Sequence, residues 1–410
     1  MWICPQCGRR FPADATRCPD HGDRALLRLG DAEKDPLIGV LVDERYIVLD
    51  VVGEGGMGTV YKAWQRRVNR EVAIKTMRIR GDGAKLLRER FVREAEVTAQ
   101  LKSPHTVTVH DSGELPDGTL YMVMEFLGGR TLADVLGTDG KLDLPRVRKL
   151  AVHACDSLAE AHALGLVHRD IKPQNLALTT RADGDEWLTV LDFGIVKPVD
   201  AGAAQLTREG AAVGSLLTMS PEQIDGRGVS VASDIYGLGA TMFHLATGRP
   251  VFMSPTALGL MAQHMSATPP RLAETLGERP LVSAFDAILQ RCLKKRPAER
   301  FQDVDALRRA LEALPTDTAA PAPRPPRPVA NRRLSRVGMQ AVEPGGDPAS
   351  LPGVSADAVH RRITETRLQT ASDPAKAEGA TGPPPARVAR WVLAGLAAAI
   401  GLYIILDGLF

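Results

Sequence analysis

"VVGEGGMGTVYKAW", residues 51–64, is the stretch whose reading decides the fold. Gly53, Gly55 and Gly58 make a G-x-G-x-x-G, with Glu54, Gly56 and Met57 filling the gaps. Without side chains, such a loop lets backbone N–H groups come close to phosphate oxygens. A doubly wound dinucleotide-binding sheet would begin a helix directly after the glycines. Here Thr59–Ala63 continues in strand-like residues, so the glycines are predicted at the tip of a β-hairpin that covers its ligand. A tight hairpin also uses glycine for structural reasons, and the loop alone does not select between the two.

The flanks narrow the choice. Tyr46–Val52 and Glu71–Met77 are rich in β-branched residues and read as strands. Within "EVAIK", residues 71–75, Ala73 and Lys75 share one face while Val72 and Ile74 take the other. A small Ala beside a Lys suits a flat ring lying near a phosphate; a solvated strand lysine is the ordinary alternative. Residues 84–101 read as an amphipathic helix on which Glu94 joins Phe91, Thr98 and Leu101 on the apolar stripe. A carboxylate on an inward face needs a cation, and Lys75 is the candidate; the alternative is that Glu94 only edges the stripe. Beyond Leu142 the pattern turns mainly helical, so residues 46–314 are predicted to form an α+β domain of two unequal lobes.

Polar chemistry concentrates in "GLVHRDIKPQN", residues 165–175. Clustered charges are costly to bury unless paired, so the loop is either a solvated turn or a working site. Asp170 can accept a proton from an attacking hydroxyl, Lys172 can neutralise a transferring phosphoryl group, and Asn175 offers an amide oxygen to Mg2+. "LTVLDFG", residues 188–194, reads as a strand ending at Asp192, a second oxygen ligand. Mg2+ is usually held by few protein oxygens together with phosphates, so one Asp and one Asn suffice.

With these motifs in order, joined by "SPE" at Ser220–Glu222, the chain resembles a eukaryotic-like bacterial serine/threonine protein kinase. That resemblance implies a two-lobed kinase fold, ATP and Mg2+ as cofactors and protein substrates. It makes Lys75 the α/β-phosphate contact paired with Glu94, Asp170 the catalytic base, Lys172 the γ-phosphate contact, and Asn175 and Asp192 the metal ligands. Met124 becomes the gatekeeper in "YMVMEFL", with the backbones of Glu125 and Leu127 gripping adenine and Val60 and Ala73 covering its ring. Glu222 is implied to pair with Arg300, and Asp234 to brace the catalytic loop. The lysine two residues after Asp170 favours Ser or Thr over Tyr as acceptor. Homodimerisation for trans-autophosphorylation is a further expectation.

One segment departs from the family. Gly214-Ser215-Leu216-Leu217-Thr218 lacks the Pro and Tyr usual before the "SPE" element, although Ser215 keeps a hydroxyl able to bridge Asp170 and Lys172. The residue five before Gly214, where relatives often carry a phosphorylated threonine, is Glu209, and Thr207 lies two earlier. Either Glu209 supplies the negative charge directly or Thr207 is the phosphosite. An inert pseudokinase scaffold is the competing functional class, and intact Lys75, Asp170, Asn175 and Asp192 count against it.

The two ends have characters of their own. "CPQCGRRFPADATRCPDHG", residues 4–22, pairs Cys4-x-x-Cys7 with Cys18-x-x-His21, a ligand set that suits tetrahedral Zn2+. Residues 1–28 therefore resemble a zinc ribbon, the weak point being His21; a tail with free thiols is the alternative. Residues 315–386 hold 13 of the chain's 29 prolines and no Phe, Trp or Tyr, and are expected to be a disordered linker. Residues 391–406 carry no charge, and residues 388–408 are long enough to be expected as a transmembrane helix. Arg387 and Arg390 precede that run with no Lys or Arg after it, so the expectation is a single-pass protein of the cell inner membrane with its kinase domain cytoplasmic. A buried docking helix is the alternative.

Composition excludes other classes. The 410 residues carry a formal net charge of +2 and only 4% aromatics, so neither a basic surface nor a base-stacking platform is expected and no nucleic-acid partner is predicted. Of five cysteines three crowd the N-terminus, while Cys155 and Cys292 stand alone, which is no disulfide framework and suits a reducing compartment. The first residues lack the basic-then-apolar pattern of a secretion signal.

Overall fold

The computed structural model describes residues 1–315 apart from 23, 56–57, 79–83 and 194–212, and gives only the backbone of 84, 86, 94 and 213. The predicted linker beyond Pro315, the apolar run 388–408, Thr207 and Glu209 lie outside these residues. So do Gly56 and Met57 of the glycine loop. Among the described residues no helix is long and apolar enough to cross a membrane.

The chain opens with three two-residue strands, β1 (Trp2–Ile3), β2 (Arg10–Phe11) and β3 (Leu27–Arg28), in a small sheet of order β2-β1-β3. The larger sheet adds β4 (Leu41–Val42), β5 (Tyr46–Gly55), β6 (Gly58–Gln65), β7 (Arg70–Met77), β8 (Val109–Glu114) and β9 (Leu120–Glu125). Its order is β4-β5-β6-β7-β9-β8, antiparallel throughout, with α1 (Ala84–Thr98) between β7 and β8 in sequence. The hairpin β5–β6 closes at Gly55 opposite Gly58, where the sequence placed it. Gly58 has φ +154 and a Cβ there would overlap the carbonyl of Thr76, whereas a Cβ at Gly53 would meet open space. Gly58 is thus required by packing, and Gly53 leaves room over the cleft.

Alternation along the strands divides the upper lobe into two apolar layers. Tyr46 and Val48 of β5 pack with Tyr61, Ala63, Val72, Ile74, Tyr121 and Val123 on one face. Ile47 and Leu49 point the other way and share a cluster with Ile3, Leu29 and Ile38. Four consecutive residues, 46–49, are therefore all buried, because the N-terminal segment covers the sheet's second face.

The lower lobe is helical. It contains β10 (Arg130–Thr131), α2 (Leu132–Asp139), α3 (Leu144–Ala163), β11 (Leu176–Thr180) and β12 (Glu186–Val190). After the undescribed stretch come α4 (Val213–Leu216), α5 (Pro221–Asp225), α6 (Val231–Thr247), α7 (Ala257–Ser266), α8 (Ala273–Leu276), α9 (Pro280–Cys292) and α10 (Val304–Glu312). Asp143 caps α3 by accepting from the backbone of Arg146 at 2.8 Å, with Pro145 in the first turn where its missing N–H costs nothing. One apolar cluster runs from Ala73, Phe91 and Met124 above to Leu158, Leu176 and Ile235 below, so both lobes grow from one core. Two sequence readings shift at their ends. The helix over 84–101 stops at Thr98, and the strand before Asp192 stops at Val190, with Leu191 N bonding Asn175 O at 2.8 Å instead of a ladder partner.

Candidate active site

The polar loop after α3 is held from below by one carboxylate. Asp234, in the first turn of α6, accepts from the backbone N of His168 at 2.8 Å and of Arg169 at 2.7 Å, and lies 2.8 Å from His162 Nε2. Its side chain is fully buried, an arrangement stable only because these donors replace water. Arg169 sits at φ +65, which costs a non-glycine residue about 1 kcal/mol or more and is maintained by those bonds. Burial pushes the imidazole of His168 down. It is neutral, donating from Nε2 to Leu191 O at 2.8 Å and accepting from Asp170 N at Nδ1 at 3.2 Å.

This bracing turns Asp170, Lys172 and Asn175 toward one another. Lys172 Nζ lies 2.9 Å from Asp170 Oδ2 and donates to Ser215 Oγ at 2.8 Å, so the ammonium bridges the loop and α4. Asn175 closes a short 3-10 turn, Pro173–Asn175, and its Nδ2 donates to Asp170 O at 2.9 Å and Oδ2 at 3.1 Å. Both bonds use the amide nitrogen, so the amide oxygen is the atom it can offer a cation. Across the cleft, Lys75 on β7 pairs with Asp192 at 2.9 Å, and Asp192 has φ +49. Left-handed, non-glycine backbone thus occurs at two of the polar positions, where tertiary bonds hold it.

The wall above is apolar. Ala73 and Met124 are opposite one another in the β7–β9 pair, both buried, and Val60 packs against the same cluster. Glu54 pairs with Thr59 beneath the hairpin tip. Glu125 ends β9, its N–H bonded to Thr108 O at 2.9 Å, and Leu127 follows beside Phe126, over whose ring Lys62 Nζ stands at 4.7 Å. Glu94 falls on α1; its side chain lies outside the described residues.

Two contributors were missed in the sequence. Gln223 follows Glu222, and its Nε2 donates to Arg169 O at 2.8 Å while its Oε1 accepts from Ser220 N at 3.1 Å. His162, in the last turn of α3, shares the Asp234 carboxylate with the loop six residues later. Nothing periodic marks either, although a polar residue directly after the "SPE" run is a weak signal for the first. Glu222 itself is paired with Arg300 at 2.7 Å and 2.8 Å.

In the N-terminal segment the four predicted ligands come together. Sγ of Cys4, Cys7 and Cys18 and a ring nitrogen of His21 lie within 4.8 Å of one another. Cys7 and Cys18 sulfurs are 3.7 Å apart, and His21 Nδ1 is 3.6 Å from Cys18 Sγ and 3.8 Å from Cys4 Sγ. A tetrahedron with metal–sulfur bonds of about 2.3 Å and metal–nitrogen bonds of about 2.0–2.1 Å has edges of about 3.8 Å between sulfurs and about 3.6 Å from sulfur to nitrogen. The backbone N of Gln6 donates to Cys4 Sγ at 3.4 Å.

A family model described as a protein kinase domain matches residues 46–311. The serine/threonine-protein kinase pkn3 of Myxococcus xanthus is 32% identical over 284 residues, 69% of this chain and 52% of its own. The serine/threonine-protein kinase PknL of Mycobacterium tuberculosis is 34% identical over 296 residues, 72% of each chain. Several of the curated relatives are longer, and the match to pkn3 spans about half that protein's length. Among solved structures, the PknI kinase domain of M. tuberculosis has 28% sequence identity and a TM-score of 0.51, covering 65% of this chain and 95% of that one.

Proposed function

Because the chain belongs to the protein kinase family, we propose that it is a serine/threonine kinase moving the γ-phosphoryl group of ATP to hydroxyls of proteins. The observation that carries this reading is the Lys172–Asp170–Asn175 group, with contacts of 2.9 Å and 3.1 Å, facing the Lys75–Asp192 pair. Asp170 orients the acceptor hydroxyl and takes its proton as attack proceeds. Lys172 offsets charge developing on the transferring group, and Ser215 keeps that ammonium aimed. Lys75 fixes the phosphate chain from above, with Glu94 its expected carboxylate partner, while Val60, Ala73, Met124 and the backbones of Glu125 and Leu127 enclose adenine. Asn175 and Asp192 would hold Mg2+, which when bound neutralises phosphate charge. Such catalysis is chiefly positioning and preorganised electrostatics. Full-length protein incubated with labelled ATP and Mg2+ should label itself or a model protein on Ser or Thr, and Asp170→Asn and Lys75→Met should each reduce the rate by about two orders of magnitude or more. Equal rates in all three proteins refute the assignment.

Two further assignments belong to the same reading. The Cys4, Cys7, Cys18 and His21 set is a structural Zn2+ site, supported by edges close to those of a Zn-centred tetrahedron. Residues 388–408 tether the enzyme to the cell inner membrane with the kinase domain cytoplasmic, supported by the uncharged run 391–406 and the arginines before it. Ending the chain at Pro385 should release an active kinase into the soluble fraction; a truncated chain still found with membranes places the tether elsewhere.

A further inference from the structure

The Cys/His cluster is bound to the upper lobe, and to the face of the sheet that lines the nucleotide cleft. On β6, Trp64, Lys62 and Val60 share one face and stand opposite Glu71, Ala73 and Lys75 of β7. Ile47 of β5 is opposite Trp64, so it belongs to that same face, the one carrying Ala73 and Lys75. What covers Ile47 and Leu49 there is Ile3, the neighbour of Cys4, together with Leu29 and Ile38. Gly30 N bonds Leu49 O at 2.8 Å, which pins the covering segment to β5 where it runs toward the glycine hairpin.

Polar ties lock the cluster in the same place. Arg66, just after β6, donates from Nε to Pro5 O at 3.1 Å and from Nη2 to Gln6 O, two carbonyls inside the Cys4-x-x-Cys7 turn. Arg24 Nη1 donates to Asn69 Oδ1 at 2.6 Å in the β6–β7 connection. A cavity of about 740 Å³ between the segment and the sheet is lined by Leu29, Gly30, Asp31, Leu49, Asp50 and Lys62, among others. Lys62 is opposite Ala73, so this cavity adjoins the strand that roofs the ring-binding wall.

We propose that the metal cluster and the nucleotide cleft are one coupled unit, in which Zn2+ at Cys4, Cys7, Cys18 and His21 holds β5 and β6 in their ATP-binding form. The proposal rests on the Zn2+ reading above. A knuckle of four ligands has little apolar core, so without metal its turn loses the shape that presents Pro5 O and Gln6 O to Arg66. Ile3 then no longer covers Ile47, and the strand leading to Gly53 loses its support on the cleft side. Asp170, Lys172 and Asn175, in the other lobe, keep their bonds. Loss of metal therefore raises KM for ATP and changes kcat little.

The test uses the full chain, stripped of zinc with a chelator, desalted, and assayed in Mg2+ with and without restored Zn2+, while native mass spectrometry counts bound metal. The expected result is one zinc per chain and a KM for ATP raised about fivefold or more on stripping, restored by Zn2+. Arg66→Ala, which leaves all four ligands intact, should keep its zinc and show a raised KM as well. A zinc-bearing protein whose KM changes neither on stripping nor in Arg66→Ala overturns the coupling and leaves the Zn2+ site standing. A protein that carries no zinc overturns both.

Discussion

Replacing Arg300 should unfold the lower lobe at markedly lower denaturant. Its guanidinium is fully buried and all five N–H groups are used: to both carboxylate oxygens of Glu222, to Ala232 O at 2.7 Å, to Lys294 O at 2.8 Å and to Lys295 O at 3.0 Å. Arg300→Met leaves a buried carboxylate without its cation and three carbonyls without their donor. Removing one partner of a buried pair costs about 3–5 kcal/mol, and the carbonyls put the expected loss in the upper half of that range. Arg300→Lys keeps the charge but not the fork and should lose nearly as much. Urea unfolding of the full chain, followed by fluorescence, measures it. The pH profile adds a second check. Burial pushes the Glu222 carboxyl up, but the hydrogen bond and charge of Arg300, with the Ser233 hydroxyl, outweigh it and hold the group below its ordinary value. A carboxyl depressed in the folded state contributes stability above its unfolded value, about 4.3, and loses it as pH falls through the folded one. The gap between wild type and Arg300→Met should therefore be widest near pH 7 and narrow below about pH 4. A loss under about 1 kcal/mol at pH 7, or a gap that ignores pH, refutes the reasoning.

Other outcomes follow from the active-site geometry. Ser215→Ala removes the acceptor 2.8 Å from Lys172 Nζ and should lower kcat about tenfold, with Ser215→Thr restoring most of it in a steady-state assay. Gly58→Ala drives a methyl into the carbonyl of Thr76 at φ +154 and should raise KM for ATP several-fold, read from initial rates against nucleotide concentration. Gln223→Ala frees Arg169 O and should lower kcat while leaving KM for ATP near wild type. Dephosphorylated protein separates Thr207 from Glu209: if Thr207 is the phosphosite it is inactive and Thr207→Ala cannot be activated, whereas if Glu209 supplies the charge it retains activity that Glu209→Ala removes.

The parts legible in the sequence are those set by local chemistry. The strand after Gly58 told a hairpin from a dinucleotide-binding turn, and Asp170, Lys172 and Asn175 lie close enough in one loop to be read as a group. The spacing of Cys4, Cys7, Cys18 and His21 likewise carries its own geometry. What escaped was contact between distant segments that no family motif marks, unlike the Glu222–Arg300 pair. Gln223 reaches Arg169 across 54 positions and Arg66 reaches Pro5 across 61, and neither leaves a period in the chain. Lys75 was assigned phosphates and Glu94, whose side chain lies outside the described residues; its pairing with Asp192, 117 positions on, was not foreseen, because a strand's pattern tells which face a lysine takes but not what comes to meet it.

The cover over Ile47 and Leu49 moves the practical boundary of the catalytic domain. The family match begins at Tyr46, yet those two side chains are only 1% and 4% exposed because of residues that precede it. A polypeptide cut at Tyr46 would lose β4 as well, leaving β5 as the outer strand, paired with β6 on one edge only, with two bare aliphatic side chains, each worth about 1.5–3 kcal/mol of burial. Exposed strand edges of that kind invite pairing between molecules. Recombinant material trimmed to the homologous region should therefore precipitate where material starting at Met1 stays monodisperse. In folding terms the catalytic domain begins at Trp2.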